Sequence, residues 1–430
     1  MNEIKLTENR SINEKFYTLH HASGLDIYVI PKKHSTAFAV FGTRYGSADR
    51  TFKLAGEDDY LTVPDGVAHF LEHKMFENED GTDAFALYAP FGGNANAFTS
   101  FTSTVYLFSC TEHFDENLRV LLSFVTSPHF TEETVRKEQG IIGEEIKMYI
   151  DNPSWRVYFN LLRALYVHHP VRVDIAGTVE SIAQITPEIL YRCYNTFYNL
   201  HNMALCICGD VTPEQVKAVA DEVLKPAPEQ EILRQYPDEP DEVCRPRIEE
   251  SLEVSRPLFN IGIKVTPADD AAERLRRAAA TDILLDMMFG PSSEFYLKNY
   301  ESGVISGKFG KSYESMADIA CILFSGAADD PDKVYDAIRE EIGKRRREGF
   351  TAEEFNRAKK VFYTATLSHF DSTEDVANSF LSFLFDGGNM FDYPGIVAET
   401  TLEYATECFL RDFDVDRSAI SVILPIEKKN

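Results

Sequence analysis

A proline-rich, acidic stretch between Lys225 and Arg247 is the feature of this sequence that most limits how the chain can fold. Five prolines interrupt it, and proline disfavours both helix interiors and central strands, so the stretch predicts a linker. At 430 residues the chain is too long for one ordinary hydrophobic core. We therefore predict a first domain over residues 1–226, a linker over 227–246 and a second domain over 247–430.

The apolar segments of the two halves follow the same order. In the first half, Leu25–Ile30 and Ala37–Gly42 are predicted to be neighbouring strands, and Met203–Cys208 is a later apolar strand. In the second half, a strand near Leu258–Val265 opens the domain and Ser418–Leu424 closes it. Helical segments lie between these strands in both halves. The sequence thus predicts an α+β fold of two similar α/β-sandwich domains that arose by duplication.

Composition excludes several classes of protein. The formal net charge of −26 argues against nucleic-acid binding, because the phosphate backbone attracts basic surfaces. Seven scattered cysteines with no C-x-x-C pair indicate free thiols in a reducing compartment. The polar segment Met1–Glu14 lacks the apolar core of a signal peptide, and no apolar run has the length of a membrane span. We expect a cytoplasmic protein that binds neither membranes nor nucleic acid.

The stretch Val67–Phe76 carries the strongest indication of chemistry. On an α-helix, His69 and His73 are four residues apart and lie on the same face. Two imidazoles in this arrangement can bind one zinc ion. Glu72 lies beside them and can act as the base for the water that zinc activates.

The surroundings of the two histidines decide between a metal site and an ordinary helix. Asp65 is expected to cap the start of this helix. The opposite side is apolar and predicts packing on a core through Val67, Phe70, Leu71 and Met75. However, H-x-x-E-H arises by chance in about 1 chain in 50 of this length, so the motif needs support from elsewhere in the chain.

A second predicted helix, Thr131–Tyr149, offers the third metal ligand. Glu138 and Glu145 are seven residues apart and share one face with Val135, Ile142 and Tyr149. Glu144 lies about 100° further round the helix and is expected to face solvent. A carboxylate on a core-facing side needs a partner, because an unpaired buried charge is costly. Zinc is one such partner, and a salt bridge to another group is the alternative.

The order of motifs resembles that of the pitrilysin/insulinase-type metallopeptidases, zinc enzymes with an inverted metal-binding motif. The resemblance covers most of residues 15–225 and is far more specific than the pentapeptide alone. It is carried by His69-x-x-Glu72-His73, Gly92–Ser100, Glu138-x6-Glu145, Asp151–Pro153, His169-Pro170, Gly177-Thr178 and Asn202–Asp210.

The resemblance implies a role for each residue of the candidate site. Family members bind zinc through residues that match His69, His73 and Glu145. The residue that matches Glu72 is their general base. The residue that matches Glu138 supports the site without binding the metal.

The resemblance also implies how a substrate binds. The segment Asn96, Ala97 and Phe98 is similar to the edge strand with which these enzymes pair an extended peptide. The implied function is a zinc metalloendopeptidase that hydrolyses peptides or unfolded segments. The alternatives are a non-catalytic assembly subunit and a peptide-binding chaperone with structural zinc. The complete motif argues against the first, and an open coordination position argues against the second.

The length of the chain implies a partner. Family members of this size are half-clamshells that enclose a chamber as pairs of chains. Many carry an arginine and a tyrosine that bind the substrate backbone, in a region similar to Ser293–Lys311, but no such pair stands there. We expect either a homodimer or a heterodimer with a related chain that lacks the metal motif. The missing pair favours the heterodimer.

Overall fold

The computed structural model describes residues 3–426, so the predicted domain limits at residues 1 and 430 lie outside the described residues. The strands, in chain order, are β1 (Ile4–Asn9), β2 (Glu14–His20), β3 (Asp26–Pro31), β4 (Ala37–Thr43), β5 (Thr51–Leu54), β6 (Leu61–Thr62), β7 (Asn94–Thr99), β8 (Thr104–Cys110), β9 (Met203–Gly209), β10 (Ile232–Arg234), β11 (Arg247–Leu252), β12 (Leu258–Val265), β13 (Gly310–Ser315), β14 (Ala320–Ala327) and β15 (Ser418–Pro425).

The helices alternate with these strands. In chain order they are α1 (Val67–Met75), α2 (Ala84–Tyr88), α3 (Phe114–Val125), α4 (Glu132–Ile150), α5 (Pro153–Leu165), α6 (Val179–Ile182), α7 (Pro187–Phe197), α8 (Pro213–Val223), α9 (Ala271–Phe289), α10 (Glu294–Glu301), α11 (Pro331–Glu348), α12 (Ala352–Ser368), α13 (Thr373–Phe385), α14 (Tyr393–Glu399) and α15 (Leu402–Asp412). Single 3-10 turns cover Ala89–Phe91, Pro170–Arg172, Leu200–Asn202, His369–Asp371 and Val415–Arg417.

The described chain divides into two compact units, and each is assembled from separate segments of the sequence. Unit 1 consists of residues 3–146, Val173–Pro237 and His369–Phe385. Unit 2 consists of Lys147–Arg172, Asp238–Ser368 and residues 386–426. The predicted division at 1–226, 227–246 and 247–430 treats the chain as consecutive pieces, and it stays a prediction.

The main sheet of unit 1 has the strand order β1-β2-β3-β9-β4-β8-β7. The prediction that Leu25–Ile30 and Ala37–Gly42 are neighbours is wrong, because β9 lies between β3 and β4. It runs parallel to β3 and antiparallel to β4. All seven residues of β9 and of β4 are buried, so the most apolar strands occupy the centre of the sheet.

Two parts of unit 1 were not predicted from the sequence. The polar N-terminal region forms the antiparallel pair β1–β2 at one edge of the main sheet. In addition, β10 lies inside the predicted linker and pairs with β5 in a small sheet of order β10-β5-β6. Arg234 of β10 donates a hydrogen bond of 2.9 Å to the buried Asp49 carboxylate. This part of the predicted linker is therefore ordered sheet structure.

The sheet of unit 2 repeats the topology of unit 1. Its order is β11-β15-β12-β14-β13, which corresponds strand by strand to β3-β9-β4-β8-β7. In both sheets the last strand of the set lies parallel to the first and antiparallel to the second. The predicted α+β class with two similar α/β domains is confirmed, and this match supports the duplication.

Each unit contains one helix that comes from the opposite half of the sequence and packs on the unit's own sheet. Helix α13 belongs to unit 1 and packs on β4 and β9, whereas α5 belongs to unit 2 and packs on β12 and β15. Both contacts need a glycine. A Cβ atom on Gly42 of β4 would lie 2.7 Å from Cδ2 of Leu381 in α13. One on Gly262 of β12 would lie 2.7 Å from Cδ1 of Leu165 in α5, so both helices approach the backbone closely.

The segments outside the sheets add two observations. Within residues 3–426, no helix combines the length and the apolar content that crossing a membrane requires. The seven cysteines carry free thiols, and all except the partly exposed Cys244 are buried. The cytoplasmic location expected from the sequence stays a prediction.

Candidate metal centre

Helix α1 presents the two histidines because its apolar side is fixed in the core of unit 1. Val67, Phe70, Leu71 and Met75 are all at most 2% exposed, as the periodicity predicts. His69 is buried beside them, and His73 lies at the C-terminal turn of the helix. The amphipathic pattern of α1 therefore directs both imidazoles to one side.

The start of α1 differs from the prediction that Asp65 caps it. The capping position is Gly66, whose φ of 92° favours glycine, and no side chain caps the helix. A Cβ atom on Gly66 would also lie 2.5 Å from the carbonyl oxygen of Ala176. Asp65 Oδ1 instead lies 2.7 Å from Nε of Arg50 in an ion pair. The Arg50 guanidinium binds this carboxylate in place of the helix N-terminus. Sequence spacing alone could not reveal that contact.

Three side chains converge on one point between α1 and α4. His69 Nε2 lies 3.7 Å from Glu145 Oε1, and His73 Nε2 lies 3.4 Å from Glu145 Oε2. One ligand atom of each residue lies within 4.8 Å of the other two. Among the described residues, no second group of histidine, cysteine or acidic side chains comes together in this way. Two histidines and one glutamate are a donor set of catalytic zinc sites.

Helix α4 places its carboxylates as the seven-residue spacing predicts. Val135 and Ile142 are buried in the core, and Glu138 on the same face is also buried. The Glu145 side chain is 20% exposed, whereas Glu144 lies on the exposed side. Glu145 therefore occupies the inward position that a third ligand requires, and Glu144 does not.

Glu138 fixes the orientation of one imidazole. Its Oε1 lies 3.1 Å from Nδ1 of His73, so Nδ1 carries the hydrogen and donates it to the carboxylate. The lone pair of His73 Nε2 then points toward the carboxylate of Glu145. Two electron-rich groups at this distance repel each other unless a metal ion, or a proton on Nε2, lies between them. The site geometry thus fits a bound metal ion.

Burial and neighbouring charges act differently on the two imidazoles. Burial and the nearby His73 lower the pKa of His69 to about 3, which keeps it in the neutral form that binds metals. Burial also lowers the pKa of His73, but Glu138, Glu145 and Glu72 outweigh burial and raise this pKa above its usual value. A metal ion at the site would replace the proton that these carboxylates stabilise.

Glu72 lies on α1 beside the converging ligands. Burial raises the pKa of Glu72, although a hydrogen bond from Thr99 and the nearby His73 oppose this rise. Thr99 Oγ1 donates that bond to Glu72 Oε2 over 2.6 Å. A raised pKa suits a carboxylate that must accept a proton near neutral pH.

A cleft of about 440 Å³ opens beside these residues. Glu72, His73 and Glu138 line one side, and Asn96 and Ala97 of β7 also line it. Strand β7 is the edge strand of the main sheet of unit 1, so its outer side faces away from the sheet and can accept a further strand. On that side, the Ala97 N–H donates a hydrogen bond of 2.9 Å to Asn96 Oδ1.

Two features of the site were not predicted from the sequence. Phe76 and Phe85 stack with ring centroids 4.3 Å apart and form an aromatic wall of the cleft. In contrast, Phe98 is 43% exposed and does not line the cleft. Thr99 was missed as a partner of Glu72. The sequence pattern could have identified Thr99, because alternate residues of a strand share a face and Thr99 lies two residues after Ala97, which was predicted to lie at the site.

The comparisons with known proteins agree with this geometry. The family described as Insulinase (Peptidase family M16) matches residues 59–179, which include all the converging ligands. The family described as Peptidase M16 inactive domain matches residues 184–362. A Bacillus subtilis (strain 168) protein, the uncharacterized zinc protease YmfH, is 40% identical over 427 residues, 98% of this chain and 99% of that protein.

The chain belongs to the M16 peptidase family. The resemblance to pitrilysin/insulinase-type enzymes stated from the motifs is thereby confirmed. An M16-like peptidase from Alicyclobacillus acidocaldarius has the same fold with a TM-score of 0.90, at 34% identity over 99% of both chains. An M16 inactive domain from Pseudomonas fluorescens shares the fold with a TM-score of 0.78 at 16% identity. A shared fold does not decide whether a chain is active, so the question falls to the site residues.

Proposed function

We propose that this M16 protein is a zinc-dependent endopeptidase that hydrolyses peptides or unfolded segments. The observation that carries the proposal is the convergence of His69, His73 and Glu145 within 4.8 Å, with Glu72 lining the same cleft as His73. Inactive family members need none of these groups, whereas a hydrolase needs all of them together. The zinc protease relatives favour the same conclusion for the metal.

In this reaction, Glu72 would transfer the proton and Glu138 would orient a metal ligand. When bound, zinc lowers the pKa of a water molecule and polarises the scissile carbonyl group. The Glu72 carboxylate takes the proton from the attacking water and passes it to the nitrogen of the leaving amine. Glu138 holds the His73 ring by its Nδ1–H, so that Nε2 stays directed toward Glu145.

The substrate would bind as an additional strand on β7. The segment Asn96, Ala97 and Phe98 can pair with an extended peptide of almost any sequence through the backbone groups on its outer side. The Ala97 N–H would then exchange its hydrogen bond of 2.9 Å to Asn96 Oδ1 for one to the peptide. Ala97 and Asn96 line the cleft that contains Glu72, so a peptide on this edge passes close to the base. Selection by extended conformation explains a preference for unfolded segments over folded proteins.

The test compares the chain, isolated with any chain that co-purifies, with its Glu72→Gln and Glu144→Gln variants. Zinc content should be equal in all three, because neither residue is a ligand. Cleavage of a mixed peptide pool, followed by mass spectrometry, should fall by about two to four orders of magnitude in Glu72→Gln, since an amide cannot accept the proton. Glu144→Gln is the matched control and should cleave like wild type.

The outcomes separate the proposal from the other functions. The Glu72→Gln variant should still bind peptides and protect the β7 amides from hydrogen exchange, because the edge strand is unchanged. If Glu72→Gln cleaves as fast as wild type, another group is the base. If wild type binds zinc and peptides but cleaves nothing, a non-catalytic assembly subunit or a chaperone replaces the peptidase.

We further propose that the working enzyme contains two chains of this size. The chain carries one metal centre among its described residues, and the Ser293–Lys311 region lacks an arginine–tyrosine pair for the substrate backbone. The partner is a second copy or a related chain without the motif. Analytical ultracentrifugation of the fully active form should show a mass near twice 48.7 kDa. A fully active species of 48.7 kDa would refute the dimer.

A further inference from the structure

Among the described residues, one hydrogen bond holds the carboxylate of Glu72, and it holds a single oxygen. Its Oε2 accepts the hydrogen of Thr99 Oγ1 over 2.6 Å, and Thr99 is the last residue of β7. This contact connects the helix that carries the base with the strand at the edge of the cleft. Since a hydroxyl donor to a charged acceptor makes one of the stronger hydrogen bonds, the contact can fix the carboxylate plane.

Within residues 3–426, the hydroxyl of Thr99 has two neighbouring oxygens that can accept its hydrogen, and Glu72 Oε2 is the nearer. Thr104 lies directly opposite Thr99 in the β7–β8 pair, and their hydroxyl oxygens are 3.3 Å apart. Thr104 donates its own hydrogen to the carbonyl oxygen of Tyr45 over 2.9 Å. A hydroxyl has a single hydrogen, so Thr104 can only accept from Thr99. The shorter distance and the charge of Glu72 direct the Thr99 hydrogen to the carboxylate.

The support behind Thr99 is buried and tightly packed. Thr104 and Tyr106 are 0% exposed, and Tyr198 is 5% exposed. The hydroxyl groups of Tyr106 and Tyr198 lie 2.8 Å apart. Thr99 is therefore paired with a fully buried residue of β8, which gives its side chain a rigid neighbour.

We infer that Thr99 is a positioning residue that orients Glu72 for proton transfer. By occupying Oε2, it leaves Oε1 as the oxygen that faces the attacking water. Because Thr99 ends β7, it also ties the orientation of the base to the strand on which a peptide would pair. The inference rests on the proposed function of Glu72 and adds a residue that touches neither metal nor substrate.

The test uses variants of nearly equal shape. Thr99→Val keeps the size of the side chain and removes the hydroxyl, whereas Thr99→Ser keeps the hydroxyl. We expect kcat of Thr99→Val to fall by about 10-fold to 100-fold with zinc content unchanged, the usual loss for a supporting partner. KM should stay within about twofold, because no substrate contact is removed. Thr99→Ser should recover most of the activity, and Thr102→Val in the adjoining exposed turn should match wild type.

A second measurement does not depend on activity. Crystal structures of wild type, Thr99→Val and Thr99→Ser should show the Glu72 carboxylate rotated in the valine variant only. An unrotated Glu72 in Thr99→Val, or equal kcat in Thr99→Val and wild type, overturns the inference and leaves the peptidase proposal intact. If wild type itself cleaves no peptide, the peptidase proposal is wrong. The crystal structures would still show whether Thr99 orients the Glu72 carboxylate. If Thr99→Val fails to retain zinc, Thr99→Ala provides the same comparison with less bulk.

Discussion

The two units place different chemistry on the same strand order. In unit 1, the first helix after β4 is α1, and its Glu72 accepts a hydrogen bond from Thr99 of edge strand β7. In unit 2, the corresponding helix is α9, and its Asp286 forms an ion pair with Lys311 of edge strand β13. Both units thus join helix and edge strand through an acidic side chain.

The difference lies in what surrounds that acid. Unit 1 adds two histidines and Glu145, which together offer three donors to a metal ion. In unit 2, the acid is neutralised by a lysine, and Met287 follows it where His73 follows Glu72. The fold therefore supplies a helix beside an exposed strand edge, and only the side chains of unit 1 convert that frame into a candidate metal centre.

The sharpest way to break this comparison is to remove the third donor. We expect Glu145→Gln to lose zinc during mild chelation and to lose cleavage with it, because a neutral amide is a poor ligand for zinc. Glu144→Gln changes the adjacent, exposed residue in the same way and should retain both. Zinc is measured by atomic absorption after dialysis against a chelator. Equal loss in the two variants, or greater loss in Glu144→Gln, would show that the inward face of α4 is not the metal-binding face.

A smaller effect is expected one step away from the metal. Glu138→Gln should keep most of its zinc, since all three donors remain, but activity should fall by about 10-fold to 100-fold because the His73 ring is held less firmly. Zinc content and kcat are measured on the same preparation. A complete loss of zinc would make Glu138 a ligand, and full activity would remove its supporting role.

Local periodicity was sufficient to predict the faces of α1 and α4. A four-residue and a seven-residue spacing determine which side chains share a side, whatever the rest of the chain does. The β7–β8 hairpin also depends on local signals, because its two strands alternate and a short polar turn joins them. The candidate ligands were therefore available from the sequence.

Contacts between distant segments were not available in this way. The insertion of β9 between β3 and β4 depends on pairing across more than a hundred residues, and apolar strands look alike whatever their neighbours. Nor could spacing show that Arg50 would capture Asp65. The position of α13 in unit 1 depends on Gly42 accepting Leu381, a match of shapes that has no sequence pattern.

The smallest expected effect concerns two acids on α9 that are one turn apart. Burial raises the pKa of Asp282 from 3.8 to about 7, with Asp286 adding to the rise and Lys311 opposing it. Tyr393 is a further titratable neighbour. Between pH 4 and 7 the unfolded chain releases the Asp282 proton while the folded chain retains it, so this group lowers the free energy of unfolding as pH rises through that range. Above pH 7 the loss is complete.

Replacing Asp282 and Asp286 by their amides should therefore change the free energy of unfolding in opposite directions. The full pKa shift corresponds to about 4 kcal/mol, but Asp282 is partly exposed, so Asp282→Asn should stabilise unit 2 by about 1–2 kcal/mol at pH 8. Its advantage over wild type should shrink as pH falls to 5. Asp286→Asn deprives Lys311 of its partner and should lower the unfolding temperature at pH 8. Thermal unfolding of wild type and both variants at pH 5 and 8 measures this. Destabilisation of equal size by both substitutions would show that Asp282 is ionised and stabilised in the folded chain, and that the acids of α9 form one charged cluster around Lys311.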